Sequence, residues 1–211
     1  MTTPRRGLLF HFTHVSNLAS IAASGLSSDN DPAFGPITDV GSQDIKRQRR
    51  SREVPLPPGG VVADYVPFYF AARSPMLGSI HTGRVRTYTG GQDDIVYLVS
   101  AIERIVEAAL PFVFTDRNAV YDYARFGNSE AQIGEFVDWQ LMEARMSNNT
   151  PEQPDRMERR MAEFLVHRHV PWPAFLGVAA KDATRARAAG SALASVGVQA
   201  TIRERPEWYF R

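Results

Sequence analysis

Five short segments of this 211-residue chain bring together residue types that can do chemistry. The first is His11-Phe12-Thr13-His14. In an alternating strand His11 and Thr13 share one face while Phe10 and Phe12 take the other. A histidine and a hydroxyl backed by aromatic packing can hold a ribose or a carboxamide by hydrogen bonds. The same pattern also suits a half-buried histidine satisfied by backbone. No acid–histidine cluster accompanies His11 and His14, so no metal is expected there. The second segment, Val66 to Phe70 followed by Arg73-Ser74-Pro75-Met76-Leu77, offers Tyr69 as a flat ring for stacking on an aromatic ligand. Core packing is the alternative use of its aromatics. The third, Met161 to Val166, opens an apolar strand with Glu163. A carboxylate there is costly unless exposed, paired or functional. The fourth is Arg49 in a basic stretch, suited to a phosphate or a base, or to a solvated helix face. The fifth, Phe112 to Asn118, is a strand running into a polar turn that can bind a ligand or simply cap the next element.

The intervening patterns predict the elements that must position these groups. Leu8 to Thr13 reads as a strand and Val15 to Ala23 as a helix stopped at Gly25. Ser27 to Gly41 is a Ser-, Asp-, Pro- and Gly-rich loop, and Ser42 to Arg50 a short basic helix. Pro55 to Gly60 forms a non-helical crossing. Pro67 pushes the strand Val66–Phe70 toward a sheet edge or an irregular start. Ser74 caps a helix with Pro75 at its first position. Strands follow at 95–99, 112–114, 163–167, 177–180 and 200–203, with helices at 102–109, 136–146 and 184–195. Short strands interleaved with short helices indicate an α+β fold, with no linker dividing residues 1–211. Gly59-Gly60 follows prolines and lies between no strand and helix, so it is not a dinucleotide or phosphate loop.

Composition narrows the classes. The absence of cysteine excludes disulfides, thiolate catalysis and cysteine zinc sites, and suits a cytoplasmic setting. Arg5 and Arg6 precede too short an apolar stretch for a signal peptide or membrane span. The net charge is only +1, but basic residues crowd Lys46 to Arg52 and Arg156 to Arg160, as if for a shaped anionic ligand.

Taken in order, these segments resemble the DarT family of DNA ADP-ribosyltransferase toxins, over nearly the whole chain. The matching blocks are H-x-T-H at His11, Arg52-Glu53-Val54-Pro55, Pro57 to Val61, Asp64 to Phe70, Arg73 to Leu77, Leu110 to Arg117 and Ala162 to Val166. The resemblance implies an ADP-ribosyltransferase fold, two small packed β-sheets with flanking helices around an NAD⁺-binding cleft, in a single catalytic domain. It implies Glu163 and Arg49 as catalytic residues, and His11, Thr13, Asn17, Tyr69 and Arg49 as the NAD⁺ contacts. Arg50, Arg73, Met76, Asn118 and Arg159 become the DNA contacts, Asn118 standing where some relatives carry histidine. The loop 147–160 takes the place where transferases of this fold read their target. NAD⁺ is the implied co-substrate, single-stranded DNA the acceptor and a macrodomain antitoxin the partner; no metal and no membrane are implied.

The residue types suit that chemistry. A carboxylate stabilises the positive ribosyl centre left when nicotinamide departs. The thymine ring nitrogen that reacts in the thymidine-modifying branch is hidden in duplex DNA, which favours a single strand. Arginine is a poor general base, so Arg49 would act chiefly by charge. A guanine, RNA or protein acceptor would leave His11, Tyr69 and Glu163 unchanged, and an inactive nucleic-acid-binding module is the alternative from another class. The retained Glu163 speaks against the last.

Overall fold

The computed structural model describes residues 7–32 and 35–211, so the Arg5-Arg6 leader reading lies outside the described residues. The chain runs β1 (Leu8–His14), α1 (Leu18–Ser24), β2 (Leu26–Ser27), α2 (Gln43–Ser51), β3 (Tyr65–Tyr69), α3 (Pro75–His81), β4 (Ile95–Ala101) and α4 (Ile102–Glu107). It continues with β5 (Phe112–Thr115), β6 (Phe126–Gly127), α5 (Ile133–Phe136), α6 (Trp139–Glu143), α7 (Arg156–Arg159) and β7 (Glu163–His167). Last come β8 (His169–Val170), β9 (Gly177–Ala180), α8 (Ala183–Ala194) and β10 (Ile202–Glu204).

Eight strands form one sheet in the order β10-β9-β4-β1-β3-β7-β5-β6, antiparallel except for β10 on β9, while β2 and β8 make a small separate ladder. The two packed sheets expected are the two halves of this sheet. They are joined by a single register pair, Phe10↔Tyr69, whereas β1 and β4 share seven pairs. The seam explains Pro67. Its strand is interior and not an edge, and it pairs fully with β7 from Tyr65↔His167 to Tyr69↔Glu163. Proline, lacking an N–H, is tolerated because on the β1 side the ladder has already opened. There the Pro67 carbonyl accepts from the His11 ring Nδ1 at 2.8 Å.

Period-two alternation sends successive side chains to opposite faces. Leu9, Val66, Phe68, Val96, Leu98, Phe164 and Val166 pack with α1 and α8 on one side. Phe10, Ile95, Tyr97, Leu77, Ile80 and Tyr209 build a second core on the other. Gly25 ends α1 at φ +84, and a Cβ there would meet the His169 ring at 2.1 Å, so only glycine lets β8 approach. Ser74 Oγ accepts from Leu77 N at 3.2 Å and starts α3 as its sequence predicts.

One helix differs from expectation. The stretch 136–146 is not continuous: α5 stops at Phe136, Asp138 Oδ1 accepts from Leu141 N at 2.9 Å, and α6 starts anew. An Asp that can cap competes with helix continuation, which amphipathic periodicity alone does not register. The Asp116–Asn118 turn caps a further turn and no helix, with Asn118 Oδ1 accepting from Val120 N. Among the described residues no helix is long and apolar enough to cross a membrane, and no group of three or more His, Asp or Glu could hold a metal ion.

Candidate active site

The cleft opens along the seam, where β1 and β3 diverge. It encloses about 720 Å³ and is lined by His11, Thr13, Asn17, Arg49, Tyr69, Met76, Asn118 and Glu163 among others. Eight of the eleven residues singled out from sequence therefore converge on one cavity.

Glu163 lies at its centre because it is the first residue of β7 and registers opposite Tyr69. The carboxylate is buried, and both oxygens are engaged: Arg49 Nη1 donates to Oε1 at 2.8 Å and the Ala119 N–H donates to Oε2 at 2.9 Å. Its own N–H donates to Thr115 Oγ1 at 3.3 Å. The expensive carboxylate is thus paired. Arg49, from the last turn of α2, is buried as well, yet its Nη2 has no hydrogen-bond partner. A buried donor left unpaired in the cleft wall is a standing demand for a ligand oxygen.

Tyr69 lies nearly parallel to Phe12, 6.0 Å away with 9° between the planes. Burial, then the neighbouring Glu163 carboxylate, pushes its phenol well above the ordinary tyrosine range, so it stays a neutral O–H. His11 is both of the things its sequence allowed, backbone-satisfied and facing the cleft. A carbonyl can only accept, so Nδ1 carries the proton and Nε2 is left as an acceptor. Burial lowers His11 from 6.5 to about 4, which keeps the ring neutral at physiological pH.

A depressed folded value means that the unfolded chain takes up the proton first as pH falls. The stability His11 contributes by being neutral is complete above 6.5 and is lost progressively toward about 4. The loss amounts to about 3 kcal/mol, and His11→Gln should flatten that part of the profile. Thermal melts of the two proteins between pH 4 and 7, on the order of one every half unit, check it. Parallel curves would show that His11 is not the titrating group.

Asn17 is less prominent in sequence and is structurally central. Its Nδ2 donates to Thr13 Oγ1 at 2.9 Å and to Thr38 O at 2.8 Å, while its Oδ1 accepts from Thr38 N at 3.0 Å. Lys46 of α2 meanwhile contacts Asp29 at 3.1 Å and Asp39 at 2.9 Å. Together these pin both ends of the loop between β2 and α2 over the cleft. Sequence reading missed Asp29, Thr38, Asp39 and Lys46 as cleft residues, because only long-range pairing distinguishes them from solvated loop residues.

The DNA contacts expected from sequence separate into groups. Met76 and Asn118 line the cleft. Arg50 is exposed on the outer side of α2 and lines no part of it. Arg73 stands beside the cleft, stacked on the Phe210 ring at 4.8 Å. Arg159 is used internally: its guanidinium contacts Asp138, donates to Asp155 at 3.1 Å and reaches Gln153 at 3.2 Å. Both basic runs are in fact largely consumed by the protein itself. Arg47 pairs with Asp44, Arg49 with Glu163, and Arg52 approaches Asp122 at 3.7 Å. Asp44 lies on the same helix as Arg47, but Asp122 and Glu163 are far away in sequence and look independent of the cluster until the fold brings them together.

The sequence and the fold both match known proteins over most of the chain. Residues 10–210 match the family model described as "ssDNA thymidine ADP-ribosyltransferase, DarT". A DNA ADP-ribosyl transferase of Thermus sp. (strain 2.9) is 38% identical over 171 residues, covering 81% of this chain and 79% of that protein. Among solved structures, Thermus sp. 2.9 DarT in complex with ADP-ribosylated ssDNA superposes with a TM-score of 0.91 at 34% identity, covering 100% of this chain and 99% of the other. The same protein in complex with NAD⁺ gives 0.86 at 34% identity, covering 99% and 100%. With a cleft built around a paired Glu163 and a match over almost its whole length, the chain belongs to the DarT family of ssDNA thymidine ADP-ribosyltransferases.

Proposed function

We propose that this chain, an NAD⁺-dependent DNA ADP-ribosyltransferase, moves ADP-ribose from NAD⁺ onto a thymine base of single-stranded DNA. The observation that carries the reading is the Glu163 carboxylate, fixed by Arg49 and the Ala119 N–H opposite Tyr69 inside a 720 Å³ cleft. NAD⁺, when bound there, supplies the leaving nicotinamide and a ribosyl carbon that becomes electron-poor as it leaves. The cleft chemistry fits such a guest: an acceptor at His11 Nε2, a hydroxyl at Thr13, a flat ring at Tyr69 and a spare donor at Arg49 Nη2.

Glu163 stabilises positive charge at that carbon and accepts a ribose hydroxyl proton in a hydrogen bond. Its position is set before any ligand arrives, so little reorganisation is needed at the moment of reaction. Arg49 serves twice, holding Glu163 through Nη1 and offering Nη2 to an oxygen that gains negative charge as the base passes its ring proton to solvent and its nitrogen bonds the ribosyl carbon that nicotinamide leaves. Met76 and Asn118 border the acceptor side. Within this reading, modified thymines obstruct replication in a host cell, and a macrodomain antitoxin that removes ADP-ribose is the expected partner.

Mass spectrometry of single-stranded oligonucleotides incubated with protein and NAD⁺ tests the assignment, with Glu163→Ala as control. Addition of ADP-ribose to thymine-containing strands alone supports it. Addition only to strands containing guanine keeps the enzyme class and overturns the base. No addition to any strand overturns DNA as the acceptor.

The pinned loop gives a separable expectation. Asn17→Ala removes both tethers to Thr38, and the KM for NAD⁺ should rise about tenfold with kcat changed far less. Steady-state kinetics at saturating oligonucleotide measures it, and an equal fall in kcat would place Asn17 in the chemical step.

A further inference from the structure

The first basic run is mostly paired with carboxylates and the second is mostly held by neutral protein oxygens, so neither run as a whole is free for phosphates. Sorting the arginines by partner shows where phosphates can be met. Among the described residues eleven arginines have no carboxylate at ion-pair distance, and four of these, Arg73, Arg145, Arg160 and Arg211, come together although they lie far apart in sequence. The fold gathers them. Arg160 is buried and donates to the carbonyls of Ala72 at 2.9 Å and Ala144 at 3.0 Å, as well as to Leu141 and Met142. It thereby staples the residue before Arg73 to the residue before Arg145. Phe210, next to Arg211, lies under the Arg73 guanidinium.

Arg73 is built into place. Its backbone has φ +57, a conformation non-glycine residues rarely adopt, and its N–H donates to the Tyr97 hydroxyl at 3.1 Å. Such strain persists only where the surroundings over-determine it, and it gathers at functional sites. The Arg73 Nε is buried with no partner. Burial first, then the like charges of Arg145 and Arg211, hold the Arg73 guanidinium below its ordinary range. Two residues on, Pro75 and Met76 line the cleft, so the cluster stands at its rim.

We propose that Arg73, Arg145 and Arg211 form a phosphodiester clamp that grips the backbone of the acceptor strand beside the reacting base, with Arg160 as the positioning residue beneath it. The clamp rests on the assignment of single-stranded DNA as acceptor. Guanidinium forks suit phosphate oxygens, and the Phe210 ring keeps one fork flat against the rim. Grip on a phosphate carries no base information, so the clamp supplies affinity and register and leaves the choice of base to the cleft.

Fluorescence anisotropy of a labelled single-stranded oligonucleotide, without NAD⁺, tests this apart from the chemistry. The logarithm of affinity against the logarithm of salt concentration should lose about 0.7 of slope for each phosphate contact removed. We expect that loss for Arg145→Gln and Arg211→Gln, both at exposed positions, and for Arg73→Gln. Arg73→Lys should keep most of the slope. The losses should be the same for oligonucleotides with and without thymine. Unchanged slopes in Arg145→Gln and Arg211→Gln overturn the clamp, even if the mass experiment confirms transfer to DNA. Normal clamp behaviour with no mass addition overturns the acceptor chemistry alone. Slope loss confined to thymine-containing strands also overturns the clamp, since a base-reading contact would then be responsible.

Discussion

Glu163→Gln should lower the rate of ADP-ribose transfer by about a thousandfold while leaving the protein folded. Glutamine keeps the volume and can still accept from the Ala119 N–H or from Arg49, so the geometry that buries residue 163 survives. What vanishes is the negative charge that faces the ribosyl carbon. Glu163→Ala should lose as much activity and, in addition, about 3–5 kcal/mol of stability, because it strands a buried Arg49 with neither terminal nitrogen paired. Single-turnover transfer to an oligonucleotide and thermal melts separate the two effects. A glutamine variant that retains more than about a tenth of the rate would show that the carboxylate acts by holding Arg49 and not by its charge.

The second large effect belongs to Arg49. Arg49→Ala should reduce transfer by about a hundredfold or more and destabilise the fold by an amount similar to Glu163→Ala, since it leaves the other half of the same buried pair. Arg49→Lys divides the two jobs. A lysine can neutralise Glu163 as a point charge and should restore most of the melting temperature. It cannot also present a second planar donor into the cleft, so activity should stay at least about tenfold down. Full rescue of activity by lysine would remove the free Nη2 from the mechanism.

Much of this arrangement is legible in the sequence. Glu163 betrays itself because a carboxylate at the head of an apolar strand demands a partner, and His11 and Thr13 because strand alternation puts them on one face. Local capping is legible for the same reason: Ser74-Pro75 carries its signal within three residues. The failures share a cause. Arg159 reads as a free cation until Asp138, 21 residues away, pairs with it. Asp138 also breaks the helix expected at 136–146, because its side chain satisfies Leu141 N better than another helical turn would. Pro67 marks an edge in sequence, yet the edge it marks runs through the middle of a sheet. Asn17 and Arg73 are expected in the site only through the family resemblance; their hydrogen bonds to Thr38 and Tyr97 connect positions no local pattern relates.

The seam has a consequence for how this cleft tolerates sequence change. Among the described residues, beyond Phe10↔Tyr69 no strand lies along the β3-facing side of β1, from His11 to His14, although its opposite side is fully paired to β4. Of that stretch His11, Phe12 and Thr13 line the cavity, and their peptide groups are the same whichever amino acids carry them. Part of the recognition surface is thus written in main chain and cannot be erased by a point mutation that preserves the strand. Drift in the surrounding side chains would then retune preference among acceptors while the grip on the donor nucleotide stays constant.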